Sequence, residues 1–177
     1  MRRLALLLAL LVAACQGAEP AKPVVTTQDR PRAVANRDDV LKNVVARKIS
    51  ETDRAAFRAV TTEVWGGHVV LMGAVVKPEQ RRRAEQAARA VEGVGSVANE
   101  LVLAELPALD FFRPDFARED AVRRHLGIEG KAGLIVRVIN GVAFLIGGGT
   151  PEAAAQLKAD AGEVEGIKWV VTHIVQP

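Results

Sequence analysis

The 177-residue sequence predicts an α/β (α+β) protein built from two tandem copies of one small unit. Each copy is ordered helix, strand, strand, helix, strand, which makes a three-stranded mixed sheet with two helices on one face. Three observations carry this. First, "VWGGHVVLMG", residues 64–73, lies over "VINGVAFLIG", residues 138–147, without a gap, pairing Gly67 with Gly141 and Gly73 with Gly147. Second, after a one-residue deletion, "PEQRRRAEQAARAVEGVGSVANELV" lies over "PEAAAQLKADAGEVEGIKWVVTHIV". Third, Pro-Glu opens both of those segments, Val-Glu-Gly closes the polar part of both, and an apolar run follows each time.

Local chemistry assigns the elements in order. In "RDDVLKNVVARKI" Val40, Leu41, Val44 and Val45 mark one face of an opening helix. Its counterpart, "DFAREDAVRRHL", has Phe116, Ala117, Val122 and Leu126, with Asp115 placed to cap it. Asn140-Gly141 between Val138-Ile139 and Val142-Ala143-Phe144 signals a two-residue hairpin, because a type I′ turn needs positive φ twice; Gly66-Gly67 serves the first copy in the same way. Pro78 and Pro151 suit a first helical turn, where the missing N–H costs nothing, and Glu79 and Glu152 complement the helix dipole. Ala84, Ala88 and Val91 then repeat at helical spacing, as do Leu157, Ala161 and Val164. Gly93 and Gly166 end those helices, and "SVANELVL" and "KWVVTHIV" are the closing strands.

This order, with Gly67, Gly73 and Gly93, or Gly141, Gly147 and Gly166, at the turn, strand end and helix end, resembles the BON domain. The resemblance covers roughly residues 36 to 177. It implies a periplasmic, non-enzymatic protein that supports envelope integrity, with phospholipid as the ligand.

The amino terminus fits that setting. "MRRLALLLALLVAA" has two arginines, an apolar run from Leu4 to Ala14 and a small-residue end, the layout of a secretory signal. The run is shorter than the roughly 20 residues of a bilayer-spanning helix. Val12-Ala13-Ala14-Cys15 resembles the bacterial lipobox, which implies that Cys15, the only cysteine, is lipidated and becomes the first residue. Gln16 in place of aspartate implies the periplasmic face of an outer membrane. Residues 15–35 contain prolines and no periodicity, so they read as a tether; about 20 flexible residues span roughly 25 Å on average. The expected organisation is therefore a signal at 1–14, the lipidated cysteine and tether at 15–35, a first domain at 36–106 and a second at 107–177.

Composition narrows the function classes. Losing Arg2 and Arg3 with the signal leaves 22 basic against 21 acidic residues, near +1, and no basic tail follows, so nucleic acid is not an expected partner. The histidines at 68, 125 and 173 have no metal-ligand spacing, and neither Ser50 nor Ser96 stands in a nucleophile elbow. No catalytic residue, metal or cofactor is expected. "IGGGTPE", residues 146–152, looks like a phosphate cradle but lacks the third glycine of a dinucleotide fingerprint and the Gly-Lys-Ser/Thr of a P-loop; Thr150 reads as a helix cap.

The most informative stretch is "LDFFRPDFAREDAVRRHLG", residues 109–127. Phe111, Phe112 and Phe116 fall within six residues, surrounded by Arg113, Arg118, Arg123 and Arg124. Rings that enter an acyl boundary while guanidinium groups meet phosphates make an interfacial segment, and these residues are the candidate lipid-binding set for an anionic phospholipid surface. The same stretch joins the two units, so its phenylalanines also suit packing between them, and the residues can divide between both tasks. In "EQRRRAEQAARAVE" the arginines are interspersed with glutamates, the pattern of a solvated helix face. "HVVLMG" and "VAFLIG" are continuously apolar, so both strand faces are expected to be covered. Helices cover one; the sister unit, another protein or lipid covers the other. A lipid-tethered adaptor that docks an envelope assembly component through those sheet faces is the alternative function.

Overall fold

The computed structural model describes residues 28–131 and 133–176. The expected signal at 1–14, Cys15 and residues 16–27 of the expected tether therefore lie outside the described residues.

The first unit runs α1 (Arg32–Thr52), β1 (Val60–Trp65), β2 (His68–Val75), α2 (Pro78–Arg89), β3 (Ser96–Asn99) and the short β4 (Val102–Leu103). A 3-10 turn at Leu106–Phe111 leads to α3 (Phe116–His125), β5 (Leu134–Ile139), β6 (Val142–Gly148), α4 (Pro151–Gly162) and β7 (Trp169–Val175). The sheets are mixed as expected: β1 pairs antiparallel with β2 and β5 with β6, while β3 and β7 pair parallel with β2 and β6. In the first unit the outer parallel strand is broken, with β3 along residues 68–71 of β2 and β4 along 74–75. The break follows from Asn99, whose side chain accepts from Leu101 N–H at 3.3 Å while donating to the Arg81 carbonyl at 3.0 Å.

Both hairpins turn on positive φ, 55° and 79° at Gly66-Gly67 and 51° and 79° at Asn140-Gly141, as a type I′ turn requires. Gly73 and Gly147 serve a different need. A Cβ on Gly73 would lie 2.0 Å from the Ala59 carbonyl oxygen, and one on Gly147 2.9 Å from that of Gly133, so at both positions a neighbouring backbone approaches too closely for a side chain. Helix starts follow their capping chemistry. Thr150 accepts from Ala153 N–H at 3.2 Å and Asp115 from Arg118 N–H at 3.1 Å. At α2, Gln80 reaches back to the Val76 and Lys77 N–H groups, both at 2.9 Å.

Each unit has its own core between helices and sheet. Val45, Ile49, Leu71 and Ala84 are buried in the first, and Val122, Leu145, Leu157 and Ala161 in the second. The opening helix departs from expectation: Leu41 and Val45 face that core, whereas Val40 is 64% exposed and Val44 41%. Leu41, Val45 and Ile49 are spaced by four and form one row against the sheet, and Val40 and Val44 lie on the neighbouring row, turned outward.

The second faces of the two sheets cover each other. Trp65, Val70 and Met72 from the first unit pack with Ile139, Phe144 and Ile146 from the second. This explains the continuously apolar inner strands. A polar seam borders the layer. Arg137 on β5 donates to Glu63 of the first unit at 2.7 Å and to Glu119 of α3 at 2.9 Å, and Lys42 lies 3.6 Å from Glu63. Both glutamates are buried, and loss of water holds the Glu119 carboxyl above its ordinary value despite the arginine beside it.

Candidate functional site

The segment from Leu109 to Arg118 is fixed by backbone contacts to the edge of the second sheet. Pro114 bridges to Ile139, and the Asp115 N–H donates to the Val138 carbonyl at 2.8 Å. The phenylalanines then divide. Phe112 is half-buried in the layer between the sheets, with Leu109 below it, and Phe111 and Phe116 turn outward, 72% and 70% exposed. A phenylalanine left that open forgoes the stabilisation that burial brings, on the order of 2 kcal/mol, twice within one short segment.

Around these rings the arginines separate as well. Arg113 and Arg118 line the same shallow hollow as Phe111, together with Asn140, Gly141 and Lys168. Arg118 is ion-paired to Asp115, and its guanidinium lies over Gly166, where a Cβ would meet Nε at 2.4 Å. The φ of 83° favours glycine here, and a side chain would also displace the Arg118 guanidinium. The Asp115 carboxyl is held low chiefly by the Arg118 N–H, with the guanidinium adding to the effect. Arg113 lies 3.5 Å from Asp110, and both are well exposed, so the pair is open to exchange for another anion. Arg123 belongs elsewhere: it donates to the Val136 carbonyl at 3.3 Å, on the sheet side of α3. Arg124 is exposed near the far end of that helix, a few turns from Phe111. The candidate set thus divides: Phe111, Arg113 and Arg118 share the hollow at the hairpin end of the second unit, Phe116 is exposed at the start of α3, and Phe112, Arg123 and Arg124 lie outside that hollow.

Three features of the molecule had no counterpart in the sequence reading. A groove of about 680 Å³ runs along α1 in the first unit, lined by Val34, Val40, Leu41, Val44, Gly67 and Gly93. His68 and His173 meet at the seam with ring centroids 5.6 Å apart. His68 Nδ1 lies 2.6 Å from Ser96 Oγ, and His173 Nε2 lies 3.2 Å from Glu100. Burial lowers both imidazole pKa values below 6.5, and the neighbouring histidine adds to the effect on His68. Trp169, the first residue of β7, is 61% exposed. The only sequence-level signal for Trp169 was its place at the start of an outer strand.

No cluster of three or more histidine, cysteine or acidic side chains suited to a metal occurs among the described residues. No helix among them is long and apolar enough to cross a membrane.

A family model described as the BON domain matches the chain twice, over residues 37–105 and 114–176. No curated protein matches it. Among solved structures, CdsD, a structural protein of the type III secretion system of Chlamydia trachomatis, is similar at 15% identity with a TM-score of 0.31, over 78% of this chain and 92% of that one. The C-terminal domain of CdsD gives 15% identity and a TM-score of 0.30, over 74% of this chain and 96% of that one.

Proposed function

The chain belongs to the BON-domain family, and from that premise we propose that it is a lipid-anchored protein of the outer membrane's periplasmic face whose second unit binds anionic phospholipid. Two outward phenylalanines flanked by Arg113 and Arg118 are the observation that carries this reading. Rings at this exposure gain by entering an acyl boundary, and the guanidinium groups beside them then sit at phosphate depth, where Asp110 is readily exchanged for a headgroup. In this reading Cys15 carries the acyl chains, residues 1–14 are removed, and the protein supports envelope integrity by binding and not by catalysis.

The test is co-sedimentation of the chain from Gln16 to Pro177 with vesicles of phosphatidylglycerol in phosphatidylcholine or of phosphatidylcholine alone. The expected result is salt-sensitive binding to the anionic vesicles only, weakened roughly tenfold by Phe111→Ala or Phe116→Ala in folded protein. Equal sedimentation with both vesicle types, or none with either, overturns it.

The apolar groove beside α1 favours a second reading, a tethered adaptor for an envelope protein. The sheet faces, the surface first expected for such a partner, are already covered by each other. An adaptor would retain one crosslinked partner after Phe111→Ala and lose it after Val40→Asp.

A further inference from the structure

The hairpin end of the second unit has two sides, and only one carries the phenylalanines. Ile139 pairs with Val142, and Val142 pairs with Trp169, so the three strands end at one level. The Phe111 to Phe116 segment lies against β5 on one side of this end, and Trp169 stands on β7 at the other, two strand spacings or about 10 Å across. Trp169 is 61% exposed at an unpaired sheet edge, and Lys158 Nζ sits 5.2 Å from its ring centroid. Lys168, the preceding residue, packs its aliphatic carbons beside Gly141, where a Cβ would meet Cδ at 3.1 Å, and so bridges the two sides. Of the cations at this end, Arg113 pairs with Asp110 and Arg118 with Asp115, while Lys158 stands by Trp169 and Lys168 by Gly141. Aromatic rings on both flanks with cations between them match the layered order of an interface: apolar acyl boundary below, phosphate above.

From this placement we propose that the second unit meets an anionic bilayer end-on, with Trp169 entering the acyl boundary on the β7 side as Phe111 and Phe116 enter on the β5 side, and with Lys158 and Lys168 at phosphate depth. The inference rests on the lipid-binding reading above and adds to it the orientation and a second, sequence-distant half of the surface. A contact made by the α3 segment alone would leave Trp169 in water.

The sequence supplies its own probe. The chain has two tryptophans, and Trp65 is only 7% exposed in the layer between the sheets, so a change in emission on adding vesicles reports Trp169. The chain from Gln16 to Pro177 is mixed with phosphatidylglycerol and phosphatidylcholine vesicles, with and without brominated acyl chains. Sedimentation and emission are read on the same samples. The expected result is a blue shift, quenching by the bromines, and roughly tenfold weaker sedimentation for Trp169→Ala. Normal sedimentation with unchanged Trp169 emission overturns the end-on orientation and leaves lipid binding standing. Absence of sedimentation overturns both. The emission of the unaltered chain is decisive even where Trp169→Ala folds poorly.

Discussion

The two hairpin ends share a backbone and differ in almost everything else. In the first unit, the Gly66 and Gly67 N–H groups are taken by one buried carboxylate, Asp38, at 2.8 and 3.1 Å, and Arg30 closes over it at 2.5 Å while stacking on Trp65. The surface beside that turn is aliphatic, formed by Val40, Leu41 and Val44. In the second unit the corresponding corner presents Arg118, Lys168 and Phe111, and its carboxylate, Asp115, is paired with the Arg118 side chain. The first end is internally satisfied and the second keeps its cations and rings toward solvent. One tip of the repeated unit is thus a structural joint, and the other is open to solvent.

The largest effect should come from breaking the polar seam that joins the two units behind these ends. Arg137→Met leaves Glu63 and Glu119 buried without their shared partner, and chemical denaturation should register a loss of about 3 kcal/mol. An unchanged midpoint would mean that the two units are not held by this bridge.

Next in size is the first turn itself. Asp38→Ala strands two N–H groups and the Arg30 guanidinium, with an expected cost of about 2 kcal/mol and no change in vesicle affinity. Loss of lipid binding in that variant, once refolding is verified, would erase the distinction between the ends.

Acid should loosen the seam at the first tip selectively. His68 and His173 have folded pKa values below 6.5, so the unfolded chain binds their protons more readily; their contribution is intact above that value and declines as pH falls through it. Glu119 acts in the opposite sense, because its folded pKa is raised and protonation favours the fold. Thermal unfolding between pH 7.5 and 5.5 should therefore show a decline that flattens in the His68→Asn, His173→Asn double variant. A parallel decline in that variant would assign it to other groups.

The smallest effect is expected at Val40. It is 64% exposed, and Val40→Asp should change stability by no more than about 0.5 kcal/mol and leave vesicle binding intact. A marked loss of vesicle binding would make the aliphatic groove part of the lipid surface.

Much of the fold was legible because its constraints are local. Asn140-Gly141 and Gly66-Gly67 fix the turns, Thr150 and Asp115 cap helices within three residues of themselves, and the internal repeat carries each assignment from one copy to the other. What the sequence could not resolve is which distant surfaces meet. Continuous apolarity in β2 and β6 says that a second face is covered, but the partner is set by packing across the chain. The 74-residue separation of Glu63 and Arg137 leaves no local trace. Val40 and Val44 looked equivalent to Leu41 and Val45 because a wide apolar face does not reveal which of its rows meets the sheet. Trp169 was hidden in a run that reads as core, and its exposure follows from standing first on an edge strand.

One hydrogen bond sets the range over which any of this operates. The Gln28 N–H donates to the Gly148 carbonyl at 3.0 Å, at the end of β6 opposite Asn140-Gly141. For the proposed anchor at Cys15, the tip proposed to meet the bilayer is thus the end farther from where the chain enters the fold. The stretch from Cys15 to Gln28 can extend at most about 44 Å, and β6 occupies about 20 Å of that return path. Under the proposed anchoring, this reach keeps the tip near one patch of leaflet, so that a weak contact would be used at high local concentration.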